Sequence, residues 1–184
     1  MKRIILIGYM GAGKTTLGKA LAQATDLQFI DLDWYIEERF HTSIQQIFAD
    51  KGESGFRDIE RRMLHEVAEF EDVIISCGGG TPCYFDNIDY MNQQGDTIYL
   101  KATPETLKAH LLMGKNKRPL IQGKSPEELI GFISESLSKR TMFYEKAHHI
   151  IDVNVLDSFD KIDQIVDTII ETGGLQGSKE ASRE

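Results

Sequence analysis

The stretch Gly8-Tyr9-Met10-Gly11-Ala12-Gly13-Lys14-Thr15-Thr16 constrains this chain more than any other. It fits G-x-x-x-x-G-K-[ST], a loop that wraps phosphate groups and needs a strand before it and a helix after it. Glycines at 8, 11 and 13 let the backbone take positive φ and approach an anion with no Cβ in the way. The N–H groups from Gly11 through Ala12, Gly13, Lys14, Thr15 and Thr16 form, with the helix N-terminus, a positively polarised cradle for nucleotide phosphates. Lys14 reaches the β- and γ-phosphates in such a loop, and the Thr15 hydroxyl is a ligand of Mg²⁺.

The flanks agree. Arg3-Ile4-Ile5-Leu6-Ile7 reads as a fully buried parallel strand. Beyond Lys14, apolar residues recur at Leu17, Ala20, Leu21 and Ala24, a helical stripe. A nucleoside triphosphate, ATP or GTP, is therefore the expected ligand, with Mg²⁺.

Length bounds the rest. With 184 residues the chain is expected to form one domain over 1–172 with a polar tail over 173–184. Two cysteines, Cys77 and Cys83, are too few for a disulfide framework and too poorly spaced for a zinc pair. A reduced, cytoplasmic protein is expected, with no leader and no apolar run near the roughly 18 residues of a membrane span. The net charge of −8 argues against nucleic acid as a partner. An acidic protein that binds phosphates must also concentrate its cations locally.

Strand and helix signals alternate, which predicts a parallel sheet with helices on both faces, an α/β fold. Four further strands are expected at Gln28-Phe29-Ile30-Asp31, Val73-Ile74-Ile75-Ser76, Thr97-Ile98-Tyr99-Leu100 and His149-Ile150-Ile151-Asp152-Val153. Thr103-Pro104-Glu105 reads as a helix start, and Ser125-Pro126-Glu127-Glu128 as a capping box. The last helix is expected to bury Ile162, Ile165, Val166, Ile169 and Ile170 and to stop near Gly173.

Ligands of an open α/β sheet sit at the carboxyl ends of its strands. After the second strand comes Asp31-Leu32-Asp33, where an extended backbone would point both aspartates the same way. One could hold Mg²⁺ through a water while the other accepts the proton of an attacking hydroxyl. Alternatively, Asp33 N-caps a helix starting at Trp34. Gly55-Phe56-Arg57-Asp58-Ile59-Glu60 places Arg57 and Glu60 three residues apart on one helix face, a surface ion pair or a held carboxylate receptor. Gly78-Gly79-Gly80 is either a flexible turn or a bare row of N–H groups facing a substrate.

The expected pool of cations runs from Gly114 to Lys124, with four basic residues and no acid. It is a solvated basic loop or a lid that closes over phosphates, with Arg118 as its phosphoryl-contacting cation. Arg140, on the helix running toward Tyr144, is a further cation. His148 and His149 are adjacent on a strand, point to opposite faces and are not expected to share a metal ion.

Taken together, these motifs resemble those of the shikimate kinases. The resemblance runs from Lys2 to about Thr172 and adds Arg118-Pro119-Leu120 and Arg140-x-x-x-Tyr144 to the motifs above. It implies a three-layer P-loop fold, with a five-stranded parallel sheet in the order 2-3-1-4-5, an acceptor segment over 33–62 and a mobile lid over 113–125. It also implies transfer of the ATP γ-phosphate to the shikimate 3-hydroxyl, on the route to chorismate and the aromatic amino acids. By that resemblance Asp33 binds the acceptor hydroxyls and acts as base, while Arg57 and Arg140 clamp the carboxylate. Gly79 and Gly80 complete the pocket, Glu60 holds Arg57, Arg118 closes onto ATP, and Asp31 stands behind Thr15 and the metal. Lys14, Asp33 and Arg118 would then be the catalytic residues of a monomer that binds neither nucleic acid nor membrane.

The chain departs from the family's pattern before the lid. The arginine that stacks on adenine in many members is missing from His110-Leu111-Leu112, and Asp152-Val153-Asn154 lacks a basic residue. Three other readings remain beside this one: a gluconate kinase of the same fold, an adenylate kinase, and a nucleotide-binding module without turnover.

Overall fold

The computed structural model describes residues 2–114, 123–156 and 159–174. The expected polar tail lies outside them beyond Gly174, as does most of the expected lid, Arg118 included.

Five strands form one parallel sheet: β1 (Arg3–Ile7), β2 (Gln28–Asp31), β3 (Val73–Ser76), β4 (Asp96–Lys101) and β5 (His149–Asp152). Their order is β2-β3-β1-β4-β5, as the resemblance implies. Burial follows position in the sheet. Ile4 to Ile7 of β1 and all of β3 are buried, whereas the edge strands β2 and β5 are buried at single residues only. Helices α1 (Lys14–Thr25), α2 (Leu32–Phe40), α3 (Ile44–Ala68), α4 (Asn87–Gln94), α5 (Pro104–Met113), α6 (Pro126–Tyr144) and α7 (Phe159–Thr172) flank it. One contiguous apolar cluster joins sheet and helices, from Ile4 and Leu17 to Tyr144 and Ile169.

The helix starts follow the sequence signals. Thr103 caps α5 through the Thr106 N–H, with Pro104 in the first turn. Ser125 and Glu128 complete both halves of the capping box of α6. In α7, Ile165, Val166 and Ile169 are buried.

Two departures bear on the site. Helix α2 begins at Leu32 rather than Trp34, and its cap is Asp31, whose carboxylate accepts from the Asp33 and Trp34 N–H groups. Asp33 therefore lies in the first helical turn, and the extended-strand alignment of Asp31 with Asp33 does not hold. Acidic side chains favour both positions, because orphan N–H groups and the positive end of the helix dipole meet there. Helix α3 is broken at Gly52, where φ is 68° and ψ −178°. Only a residue without Cβ takes such a conformation readily, and the break turns the chain just before Glu53 and Arg57.

Candidate active site

The loop after β1 has the backbone its glycines require, with φ of 145° at Gly8, 85° at Gly11 and 91° at Gly13. At Gly8 a Cβ would stand 2.8 Å from the Leu100 carbonyl oxygen, so space as well as φ demands glycine. Gly13 is the N-cap residue of α1, which points the first N–H groups of that helix into the loop. Lys14 Nζ donates to Gly8 O at 2.7 Å and Tyr9 O at 3.0 Å, so its ammonium lies over the loop.

Thr15 and Asp31 meet beside this cradle. The Thr15 hydroxyl donates to Asp31 Oδ2 at 3.1 Å, while Asp31 Oδ1 caps α2. Two hard oxygen donors at the edge of a phosphate loop fit Mg²⁺, which keeps water and phosphate oxygens as its other ligands. Among the described residues no group of three or more His, Cys, Asp or Glu could enclose an ion. His148 and His149 have rings 6.4 Å apart in an edge-to-face arrangement.

A cavity of about 870 Å³ runs from the loop past the ends of β2 and β3, lined among others by Lys14, Thr15, Asp31, Asp33 and Gly79. Asp33 is thus brought to the phosphate cradle by helix geometry. Its carboxyl is pushed up to about 6, first by burial, then by the charges of Asp31 and Glu60, with Lys14 opposing them. A carboxylate tuned to that range holds a proton more readily than an ordinary aspartate and still ionises at neutral pH.

Gly78 links Asp33 to a cluster of arginines and glycines, since a Cβ there would stand 3.2 Å from Asp33 Oδ1 and 3.3 Å from Glu60 Oε1. Arg57 Nη1 donates to Glu60 Oε2 at 2.8 Å, and Glu60 is 1% exposed. This ion pair is therefore buried rather than solvated. Burial works most strongly on the Arg57 charge and against it, but Glu60 and Tyr84 together outweigh it and hold the pKa above its usual value. The guanidinium carbon lies 4.0 Å from the Tyr84 ring centre, a cation–π contact. Glu53 stands 3.5 Å from Nη2 and accepts from the Tyr84 hydroxyl at 2.6 Å. Arg57 Nε is buried with no hydrogen-bond acceptor, which leaves donor capacity on a charged group.

The triple glycine leaves room for two guanidiniums. A Cβ on Gly80 would stand 2.6 Å from Arg57 Nη2, and one on Gly79 would stand 3.3 Å from Arg140 Nη1. Each arginine thus rests against one glycine. The Tyr144 hydroxyl donates to Gly79 O and fixes the turn from α6, while Arg140 lies 5.4 Å from the Tyr9 ring centre.

The structure thus brings together Lys14, Thr15, Asp31, Asp33, Arg57, Glu60, Gly79, Gly80 and Arg140. Sequence reasoning missed Tyr84 and Thr81, which no periodicity marks, and the link from Glu53 to Tyr84. It also missed what His110 does. One ring nitrogen lies 2.8 Å from Gly11 O and the other 3.0 Å from Leu156 O. The imidazole therefore ties α5 to the phosphate loop and to the segment after β5, two walls of the cavity.

Phosphate loop, tuned aspartate and two arginines held against glycines on this sheet define a small-molecule kinase of the P-loop class. The family model described as "Shikimate kinase" matches residues 10–173. The chain is 57% identical over 169 residues to the shikimate kinase of Phocaeicola vulgatus, covering 92% of this chain and 97% of that protein. The crystal structure of shikimate kinase from Bacteroides thetaiotaomicron superposes with a TM-score of 0.92 at 50% identity, covering 95% of this chain and 99% of that one. The shikimate kinase of Acinetobacter baumannii in complex with shikimate gives a TM-score of 0.79 at 33% identity, covering 93% of this chain and 94% of that one. The chain belongs to the shikimate kinase family.

Proposed function

We propose that the protein transfers the γ-phosphoryl group of ATP to the 3-hydroxyl of shikimate, yielding shikimate 3-phosphate and ADP. The observation that carries this reading is the placement of Arg57 and Arg140 against successive glycines, next to Gly78, where a Cβ would stand 3.2 Å from Asp33 Oδ1 and 3.3 Å from Glu60 Oε1. A small carboxylate bearing three hydroxyls needs that complement: cations for the acid, and one carboxylate for the alcohols.

The chemistry follows from the geometry. Asp33 accepts the proton of the attacking hydroxyl as its oxygen bonds to Pγ, and the bond from Pγ to the bridging oxygen of ADP breaks. Lys14 and the N–H groups of 11–16 stabilise the charge that develops on the phosphoryl oxygens. Arg57 and Arg140 fix the acceptor through its carboxylate, with Glu60 holding Arg57. Phosphoryl transfer asks for little beyond this, since positioning and charge stabilisation supply most of the barrier lowering. Mg²⁺, held by the Thr15 hydroxyl and through water by Asp31, would neutralise charge between the β- and γ-phosphates when bound.

The lid over 113–125 and its Arg118 complete the proposal, although Arg118 lies outside the described residues. Closure there would exclude water as a competing phosphoryl acceptor. A monomer is the proposed working unit. The unpaired thiols of Cys77 and Cys83 suit a reducing, cytoplasmic setting. Among the described residues no helix is long and apolar enough to cross a membrane.

Phosphorus NMR and mass spectrometry of the product test the reading. A single monophosphate coupled to the proton on carbon 3 is expected. Phosphorylation at another hydroxyl would mean that the carboxylate is clamped elsewhere.

A further inference from the structure

Thr81 follows the triple glycine directly and is 0% exposed. Its hydroxyl donates to Glu60 Oε1 at 2.6 Å, while Glu60 Oε2 accepts from Arg57 Nη1 at 2.8 Å. Each oxygen of this buried carboxylate therefore has one strong donor. The origin of the Thr81 hydroxyl is itself fixed. Its N–H donates to Gly78 O at 3.1 Å, and its carbonyl accepts from the buried Asn87 Nδ2 at 2.8 Å.

The surroundings show why a donor is needed. A Cβ on Gly78 would stand 3.1 Å from Thr81 Oγ1, 3.2 Å from Asp33 Oδ1 and 3.3 Å from Glu60 Oε1. Two carboxylates thus crowd around one glycine, and the Thr81 hydroxyl serves the Glu60 oxygen on that side. Without it, a buried anionic oxygen would lack that donor beside a second carboxylate, an arrangement that favours rotation of Glu60 away from its present pose.

We propose that Thr81 is a positioning residue for the acceptor: it holds Glu60 by one oxygen, so that the other orients Arg57 toward the acceptor's carboxylate. The relay Thr81–Glu60–Arg57 ties α3 to the loop on which Gly79 and Gly80 sit, and so couples the two sides of the carboxylate pocket. It rests on the assignment of Arg57 as carboxylate receptor and extends that assignment to a residue that does not touch the substrate.

The test compares Thr81→Val, which keeps the side-chain shape and removes the hydroxyl, with Thr81→Ser, which keeps the hydroxyl. In Thr81→Val the shikimate KM is expected to rise about 10-fold or more, while kcat and the ATP KM change less than about 3-fold. Thr81→Ser restores the shikimate KM to near that of the parent. A second readout is the preference for shikimate over its analogue with the carboxyl reduced to a primary alcohol, which shrinks in Thr81→Val. Calorimetric ATP binding reports whether the variant is folded, and Thr81→Ala carries the same comparison if Thr81→Val is not.

An unchanged shikimate KM in Thr81→Val would overturn the relay. So would an equal rise in both KM values with the carboxyl preference intact, the mark of a merely structural residue. Arg57→Ala run in parallel separates the two levels. If it leaves the shikimate KM unchanged, the carboxylate receptor falls; if it alone raises that KM, only Thr81 loses its role.

Discussion

The two halves of the site are built from different materials. The phosphate half is nearly all backbone from nine consecutive residues, with its N–H groups fixed by three glycines at positive φ. The acceptor half is nearly all side chain, gathered from α2, α3, the loop after β3 and α6. A backbone cradle recognises any triphosphate, because its N–H groups read phosphate and little else. A pocket of converging charges is selective, and each of its members can be lost singly.

That contrast can be broken most sharply at Asp33, which stands between the halves. Asp33→Asn should lower kcat by about 10²–10⁴-fold, the usual worth of a positioned base, with ATP affinity nearly unchanged. Stopped-assay turnover together with calorimetric ATP binding checks both. Retained turnover would remove Asp33 from the proton path.

Next comes the clamp. Arg57→Ala should raise the shikimate KM by about 2–4 kcal/mol in free-energy terms, or roughly 30- to 1,000-fold, with the ATP KM moving far less. Equal effects on both substrates in steady-state kinetics would contradict a division into two halves.

On the nucleotide side the expected effects are smaller. His110→Phe keeps a ring but drops the contacts to Gly11 O and Leu156 O. A ring with one N–H donates only one of these bonds, worth about 0.5–1.5 kcal/mol, so the ATP KM should rise roughly 2- to 13-fold and the shikimate KM should stay put. A larger change at shikimate would show that His110 braces the whole cavity rather than one wall.

The pH dependence of Asp33 sharpens the same comparison, with opposite signs for activity and stability. Its pKa is raised from 3.8 to about 6 by burial and by Asp31 and Glu60. Activity needs the ionised form, so kcat should fall as pH drops through about 6. Stability runs the other way. A carboxyl with a raised folded-state pKa favours the fold at low pH, and that contribution is lost as pH rises through the folded value. Asp33→Asn should therefore melt higher than the parent at pH 8 by roughly 4–8 °C, for about 2 kcal/mol relieved. The difference should vanish toward pH 4, a trend that calorimetry across that range resolves.

The asymmetry between the halves also explains what could be read from the sequence. All five strands were legible because a parallel sheet writes short aliphatic runs, and the phosphate loop because a backbone site needs glycines at fixed spacing. Arg57 with Glu60 was legible as a helix pair at i and i+3, but its burial was not. Burial comes from Thr81 and the neighbouring loop, and no local rule reports a contact across 21 residues. Asp31 and Asp33 were read with the wrong geometry, because two acids after a strand also suit a helix start. Asp31 took the cap and moved the helix start two residues earlier than Trp34. The His110 contacts join positions 99 and 46 residues apart and left no trace in the sequence pattern.

The central claim is that the side-chain half selects shikimate while the backbone half accepts ATP. ADP release with Mg·ATP, compared for shikimate, gluconate, AMP and no acceptor, tests it most directly. Strong release with shikimate alone is the predicted result. Release only with gluconate or AMP would leave the phosphate loop standing and contradict the acceptor half, and binding of ATP without release on any acceptor would contradict turnover itself.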